Sequence, residues 1–359
     1  MRILIIGGTG FIGPHVVKSL IDQGHDVAAL VRPTSSATLP PGAQRINGDR
    51  RQLTSSASAL RAFRPDVVAD LILSSGKQAQ TLMDVFRGVA RRVVAISSID
   101  VYRALGVILG SEDGPPDPVP LREDSPLRTK LQTYPPAQIE VLKGVFGWLD
   151  DDYDKIPVER AILGDSDLPG TVLRLPMVYG PGDRLHRMYP MLKRMDDRRR
   201  AIPMQENWAN WRTPRGYVEN VAAAIALAAT DDHAAGHTYN VAESQSFSEI
   251  EWAALIAKIA GWHGDLVPVP AEHLPPSLRV PGNFDQHLSA NSSRIRTELG
   301  YAEPVPRAKA IRETVKWERA NPPAQLPASQ FDYEAEDQVL GAVGTLSQFA
   351  MPAVVRVTR

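Results

Sequence analysis

The chain opens on Arg2-Ile3-Leu4-Ile5-Ile6, a short apolar run that stops at glycine, and three further residues set a rhythm behind it: Gly7, Gly10 and Gly13. A run of this length bounded by glycine reads as a strand of a parallel sheet buried on both faces. Val16, Val17, Leu20 and Ile21 then recur at helical spacing, so His15–Gln23 reads as an amphipathic helix. The glycines have separate uses. Gly7 permits the tight turn, Gly10 lets backbone N–H groups approach a pyrophosphate, and Gly13 lets helix and strand pack closely with phosphates at the helix's positive end. An ordinary glycine-rich turn is the alternative, and the position at the first strand favours a dinucleotide.

Strand-like runs at Asp26–Val31, Val67–Leu73 and Arg92–Ser97 alternate with helical patterns at Ala57–Phe63 and Thr81–Ala90. This is the rhythm of a doubly wound parallel sheet. After Tyr102 the pattern breaks into a segment carrying Pro115, Pro116, Pro118, Pro120, Pro126, Pro135 and Pro136, expected to be neither sheet interior nor helix and to form a long loop over the site. Order resumes with a helix at Lys155–Gly164, a strand at Gly170–Leu175, an Ala-rich helix at Tyr217–Thr230 and a strand at His237–Val241. Ser246 and Glu249 suggest a capping box opening a helix Glu249–Ala260 that ends at Gly261. The expected division is a dinucleotide domain over residues 1–181 with 212–242 returning to it, a smaller domain from 182–211 and 243–320, and a tail over 321–359. Weak periodicity near Val339–Phe349 makes that tail either an oligomer arm or a flexible end.

The 359 residues, 43% hydrophobic, suffice for a large core. Lys+Arg 40 against Asp+Glu 41 leaves a formal net charge of -1, which gives no general field for nucleic acid or an anionic membrane. The basic triplet Arg198-Arg199-Arg200 reads as a solvated face. With Cys 0 there is no disulfide, thiolate metal site or cysteine nucleophile. No stretch approaches the ~18 apolar residues that span a bilayer, and no secretory pattern precedes the first strand, so the expected location is the cytoplasm. No His/Asp/Glu spacing suggests a metal site.

The assembled motifs resemble the extended short-chain dehydrogenase/reductase family, the NAD(P)-dependent epimerases, dehydratases and reductases. They are Gly7-Gly8-Thr9-Gly10-Phe11-Ile12-Gly13, Ser97-Ser98-Ile99-Asp100-Val101-Tyr102, Pro120 with Glu123-Asp124-Ser125-Pro126, Lys155 with Glu159, Leu173-Arg174-Leu175-Pro176-Met177-Val178-Tyr179-Gly180-Pro181-Gly182, Arg215-Gly216-Tyr217-Val218, Tyr239-Asn240-Val241 and Glu298-Leu299-Gly300-Tyr301. The resemblance covers Met1 to about Trp317. It implies a Rossmann-type doubly wound parallel sheet with a smaller C-terminal α/β substrate domain, a homodimer, and a substrate of nucleotide-sugar type.

In that family a serine, a tyrosine and a lysine four residues after the tyrosine handle a proton while hydride moves to or from nicotinamide. The resemblance aligns Ser98 and Lys155 with two of these, Ser98 being alternatively a helix cap. A phenol with its ordinary value near 10 is a poor base unless a cation stabilises the phenolate. Here the position four before Lys155 holds Asp151, and the nearest tyrosine, Tyr153, stands only two before it. Residues two apart on a helix face different ways, and Pro157 argues that the helix starts near Asp152–Asp154. Tyr153 then lies in a pre-helical turn, as the acid/base or as a packing residue; Tyr102 and Tyr134 are weaker candidates, and Asp151 is either a base or solvated.

The second strand leads into Arg32-Pro33-Thr34-Ser35-Ser36 with no acidic residue to bind a ribose 2′-hydroxyl, which favours NADP over NAD. By resemblance, Thr9, Phe11 and Ile12 belong to the phosphate turn, Asp49 touches adenine, Leu71 lines the ribose, and Pro176 and Val178 hold the carboxamide. Arg215 matches a phosphate-gripping position, implying a phosphate-bearing small-molecule substrate. Trp208 and Trp211 stack on it or pack between domains. His186 faces the substrate or is structural. Three functions remain open at this point: a nucleotide-sugar epimerase, dehydratase or reductase; a reductase of a small carbonyl compound; and a non-catalytic NADP-sensing or RNA-associated relative.

Overall fold

The opening apolar run forms β1 (Arg2–Ile6), in which Ile3, Leu4, Ile5 and Ile6 are all 0% exposed. The computed structural model describes residues 1–132, 134–326, 328–346 and 354–358. Behind β1 come α1 (Gly13–Asp22), β2 (Asp26–Val31), β3 (Gln44–Asn47), α2 (Ala57–Ala62), β4 (Val67–Asp70), α3 (Gly76–Phe86) and β5 (Arg92–Ser98). Then follow α4 (Arg103–Ile108), α5 (Pro136–Val145), α6 (Lys155–Leu163), β6 (Gly170–Leu175), β7 (Met177–Tyr179), α7 (Tyr189–Asp196), β8 (Ala201–Gln205) and α8 (Glu206–Asn210). The chain continues through β9 (Arg215–Tyr217), α9 (Val218–Thr230), β10 (Thr238–Asn240), α10 (Glu249–Ala260), β11 (Gly264–Val269), α11 (Ser293–Leu299), α12 (Arg307–Ala320), α13 (Tyr333–Leu346) and β12 (Val355–Val357).

Seven strands form one sheet in the order β10-β6-β5-β4-β1-β2-β3, with all neighbours parallel. Alternation divides each strand between two apolar layers. Ile3, Ile5, Val27, Ala29 and Val67 pack with Val16, Val17 and Leu20 of α1 and Val221 and Ile225 of α9. Leu4, Ile6, Ala28, Leu30 and Val68 pack with Leu82 and Met83 of α3 and Val158 and Ile162 of α6. The fold is thus a mixed α/β, Rossmann-like structure covered on both faces. Because β2 and β3 lie on one side of β1 and β4 on the other, the chain reverses direction across the sheet at β1/β4, where a crevice opens at the strands' carboxyl ends. A second sheet, β12-β11-β8, joins a parallel pair to an antiparallel one.

Several expectations change here. The helix expected over Thr81–Ala90 starts at Gly76, because the Ser75 hydroxyl accepts from the Gln78 N–H and caps it. The capping box is Ser248 with Glu251, not Ser246 with Glu249. The Pro-rich segment is not wholly irregular: it carries α4 and α5, the latter tolerating Pro136 in its first turn. Arg199 is no solvated residue, since it pairs with Asp337 and lies over the Tyr333 ring at 4.8 Å. The tail's α13 therefore packs on β8 of the second sheet, and Arg194 of α7 donates to its Glu336 at 2.8 Å.

Behind β5 and β6 lies a buried polar network built from the sequence motifs. Arg174 donates to both Glu159 oxygens at 2.9 and 2.8 Å, to the Tyr102 hydroxyl at 2.9 Å and to the Glu123 carbonyl at 2.9 Å. Ser97 donates to Glu159, Tyr102 donates to Asn240 at 2.6 Å, and the Asn240 N–H donates to the Glu123 carboxylate at 2.8 Å. Such a network rigidifies a core when every member is satisfied.

Candidate active site

A cavity of about 300 Å³ opens in the crevice at the start of α1. Gly7, Thr9, Gly10, Phe11, Ile12, Gly13, Arg32, Asp49, Leu71, Pro176 and Val178 all line it. Its glycine floor is sterically dictated. Gly7 has φ +92°, and a Cβ on Gly13 would stand 2.2 Å from the Gly7 carbonyl oxygen. Among the described residues the N–H groups of Phe11 and Ile12 have no acceptor, so two donors at a helix N-terminus await an anion. These features fit a dinucleotide, whose pyrophosphate would lie on this turn. Ser35 joins Arg32 beyond the end of β2, while Asp49 caps the turn after β3 and pairs with Arg51 at 3.1 Å.

Lys155, the first residue of α6, is buried and does not line the cavity, and neither do Ser98 and Tyr153. Its ammonium donates to the carbonyls of Leu73 and Ile96, the latter at 3.1 Å, and sits 5.8 Å from the ring centroids of Trp148 and Tyr153. Burial pulls it down to about 8, against the charges of Asp70, Asp100 and Glu159. Asp154 caps α6, accepting from the Ile156 N–H at 2.8 Å and held by Arg128 at 3.1 Å. Tyr153 thus precedes the helix, and Pro157 falls in its first turn, where a missing N–H costs little.

Desolvation pushes the Tyr153 hydroxyl well above its ordinary value, and the charges of Asp100 and Asp154 add to this. No described residue hydrogen-bonds that hydroxyl, while the neighbouring Tyr134 donates to Asp100 at 2.6 Å. Asp151 is out of the site: its side chain is 82% exposed and pairs with Lys143. Ser98 ends β5 and caps the next turn by accepting from the Asp100 N–H at 3.2 Å. Tyr102 is fully buried in the polar network.

The two substrate-side candidates are otherwise engaged. Arg215 is 5% exposed, donates to Glu249 at 2.6 Å and stacks over the Trp252 ring at 4.6 Å. His186 has φ +47°, stacks on Trp317 at 5.3 Å and bonds the buried Glu318 at 2.7 Å, which ties it to α12 rather than to the cavity. Trp211 packs on Phe284 and donates to the Gln286 carbonyl.

Other wall residues carried little signal in the sequence. Phe146, Gly147 and Trp148 close one side after α5, and Asp183, Arg184 and Arg187 close another. Arg50 reaches the floor and pairs with fully buried Asp70 at 2.6 Å; a carboxylate ending a buried strand was the one available sign.

The family model for the NAD dependent epimerase/dehydratase family matches residues 3–242. The chain belongs to that family. NAD(P)-dependent oxidoreductases of the extended type make up its members, so this member is assigned to the same class of enzyme. A 3-diazoavenalumate denitrifying reductase from a Streptomyces species is 29% identical over 316 residues, covering 84% of this chain and 95% of that one. A 2'-dehydrokanamycin reductase from Streptomyces kanamyceticus is 32% identical over 99 residues, 28% of each chain. In fold this family member resembles the Thermotoga maritima UDP-glucose 4-epimerase solved with UDP-glucose (TM-score 0.62, 19% identity, 89% of this chain and 99% of that one). A dTDP-glucose 4,6-dehydratase from Bacillus anthracis solved with NAD is similar too (TM-score 0.64, 15% identity, 89% and 97%). Among the described residues no helix is long and apolar enough to cross a membrane, and no group of three or more His, Cys, Asp or Glu could hold a metal ion.

Proposed function

We propose that this family member is an NADP-dependent reductase that delivers hydride to a small organic electrophile and completes the reaction with a proton from Tyr153. The observation carrying this reading is the electrostatic setting of Tyr153, flanked by the carboxylates of Asp100 and Asp154 and raised by burial. A phenol so held is no base near neutral pH but still carries a proton to give. Epimerisation or dehydration begins by oxidising an alcohol, which needs a base to take the hydroxyl proton, and the position four before Lys155 holds only the exposed Asp151. Reduction needs no base, and it ends with a proton donated to the reacting atom.

When bound, the nicotinamide supplies the hydride. The residues that would hold it line the cavity: Gly7, Gly10 and Gly13 would admit the pyrophosphate, Pro176 and Val178 would flank the reacting end, and Arg32 with Ser35 would suit a 2′-phosphate. Ser98 would hold the reacting atom, and Lys155, a cation at neutral pH, is fixed by two carbonyls. That both Streptomyces relatives are reductases supports the same direction.

The test is to supply NADPH with a panel of phosphate-free aldehydes and ketones, and separately with UDP-glucose. The expected result is NADPH consumption in the first set and no isomerisation in the second, with Tyr153→Phe lowering turnover by roughly 10²–10⁴-fold. Isomerisation of UDP-glucose by the wild type would overturn the reading. For the cofactor, Arg32→Ala is expected to weaken NADPH binding at least tenfold and leave NADH binding unchanged; equal losses would remove the preference for NADP.

A further inference from the structure

A second cavity, of about 360 Å³, lies between α7, β8 and α10 and shares Arg187 with the cleft described above. Its apolar lining includes the indoles of Trp208 and Trp252 and the thioethers of Met191 and Met204. Flat π-systems are favoured in such a setting, by ring stacking and by sulfur contacts.

The charges around it point the same way. Arg215 lies behind Trp252, stacked on the ring, and its guanidinium is taken by Glu249 at 2.6 Å. The cavity wall therefore contains Glu249 but not Arg215. Glu249 occupies the first turn of α10, where a carboxylate suits the helix's positive end. A second carboxylate, that of Glu336, reaches the wall from the tail and is 1% exposed, held by Arg194. The remaining arginines are also engaged: Arg187 with Asp183 at 2.6 Å, and Arg279, exposed at the rim, with the Leu274 carbonyl at 2.7 Å. A diphosphate entering here meets two carboxylates, and among the described residues the two interior arginines of the wall, Arg187 and Arg194, are already paired with carboxylates.

We propose that this cavity binds an uncharged, phosphate-free aromatic group, and that Glu249 sets the preference by occupying Arg215. The inference rests on the reductase reading only for calling that group part of the substrate. It also departs from the phosphate clamp that the resemblance implied for Arg215.

Calorimetric titration of NADP-saturated protein tests it without turnover, so its failure is distinct from failure of the reductase assay. The probes are 2-naphthol and UDP. The wild type is expected to bind 2-naphthol and not UDP, Trp252→Ala to weaken 2-naphthol at least tenfold, and Glu249→Gln to tighten UDP at least tenfold by freeing Arg215. Tight UDP binding by the wild type that is lost in Arg215→Ala would overturn the proposal, as would failure of the wild type to bind 2-naphthol. Because the wild-type titrations decide on their own, a variant that fails to fold leaves the proposal open to refutation.

Discussion

Lys155 shows how one residue can be legible in type and illegible in circumstance. Its place before Glu159 marks it, but nothing in the sequence tells that two backbone carbonyls hold its ammonium. The physical consequence is a pH signature. Its folded value, about 8, lies below the ordinary 10.5 because burial penalises the cation. Below about pH 8 both states carry the proton and the full cost of burial is felt; as pH rises from about 8 toward 10.5 the folded state sheds it first, so stability increases. Chemical denaturation is therefore expected to show wild type gaining on the order of 2 kcal/mol over Lys155→Met between about pH 7.5 and 9.5. A flat difference would mean the ammonium is not desolvated. Gly13 is the opposite case, readable because sterics alone decide it: Gly13→Ala would drive Cβ into the Gly7 carbonyl. Equilibrium titration is expected to show loss of NADP binding by at least tenfold.

At the scale of elements, strands with strong apolar patterns could be found from sequence, and β2 and β6 keep their expected bounds. β3 could not, because in Gln44–Asn47 only Ile46 is buried and an edge strand needs no further apolar residue. The start of α3 and the cap of α10 are not legible for a related reason: which serine caps depends on where the chain enters, and that is set by tertiary packing. Six residues of the motifs carrying the resemblance, Ser97, Tyr102, Glu123, Glu159, Arg174 and Asn240, meet in a network joining α6, β6 and β10. Glu159→Ala leaves Arg174 buried and unpaired, and urea unfolding is expected to show a loss of about 3–5 kcal/mol. A loss below about 1 kcal/mol would mean water replaces the carboxylate.

For the whole molecule, the doubly wound sheet was foreseeable from its first hundred residues, and the contribution of the tail was not. Its weak periodicity gave no sign that Glu336 and Asp337 would meet Arg194 and Arg199 across more than a hundred residues. Gln330 and Glu336 wall the second cavity, so deleting residues 327–359 is expected to weaken 2-naphthol binding at least tenfold while NADP binding persists, as titration of the shortened protein would show. Arg187 has a wider effect. It stands in the lining of both cavities, anchored to Asp183 and to the Val178 carbonyl. A side chain shared by two compartments turns their filling into one thermodynamic cycle: by whatever factor the first guest tightens the second, the second tightens the first. Dissociation constants taken singly and together give that factor in both directions, and Arg187→Ala should bring it to one.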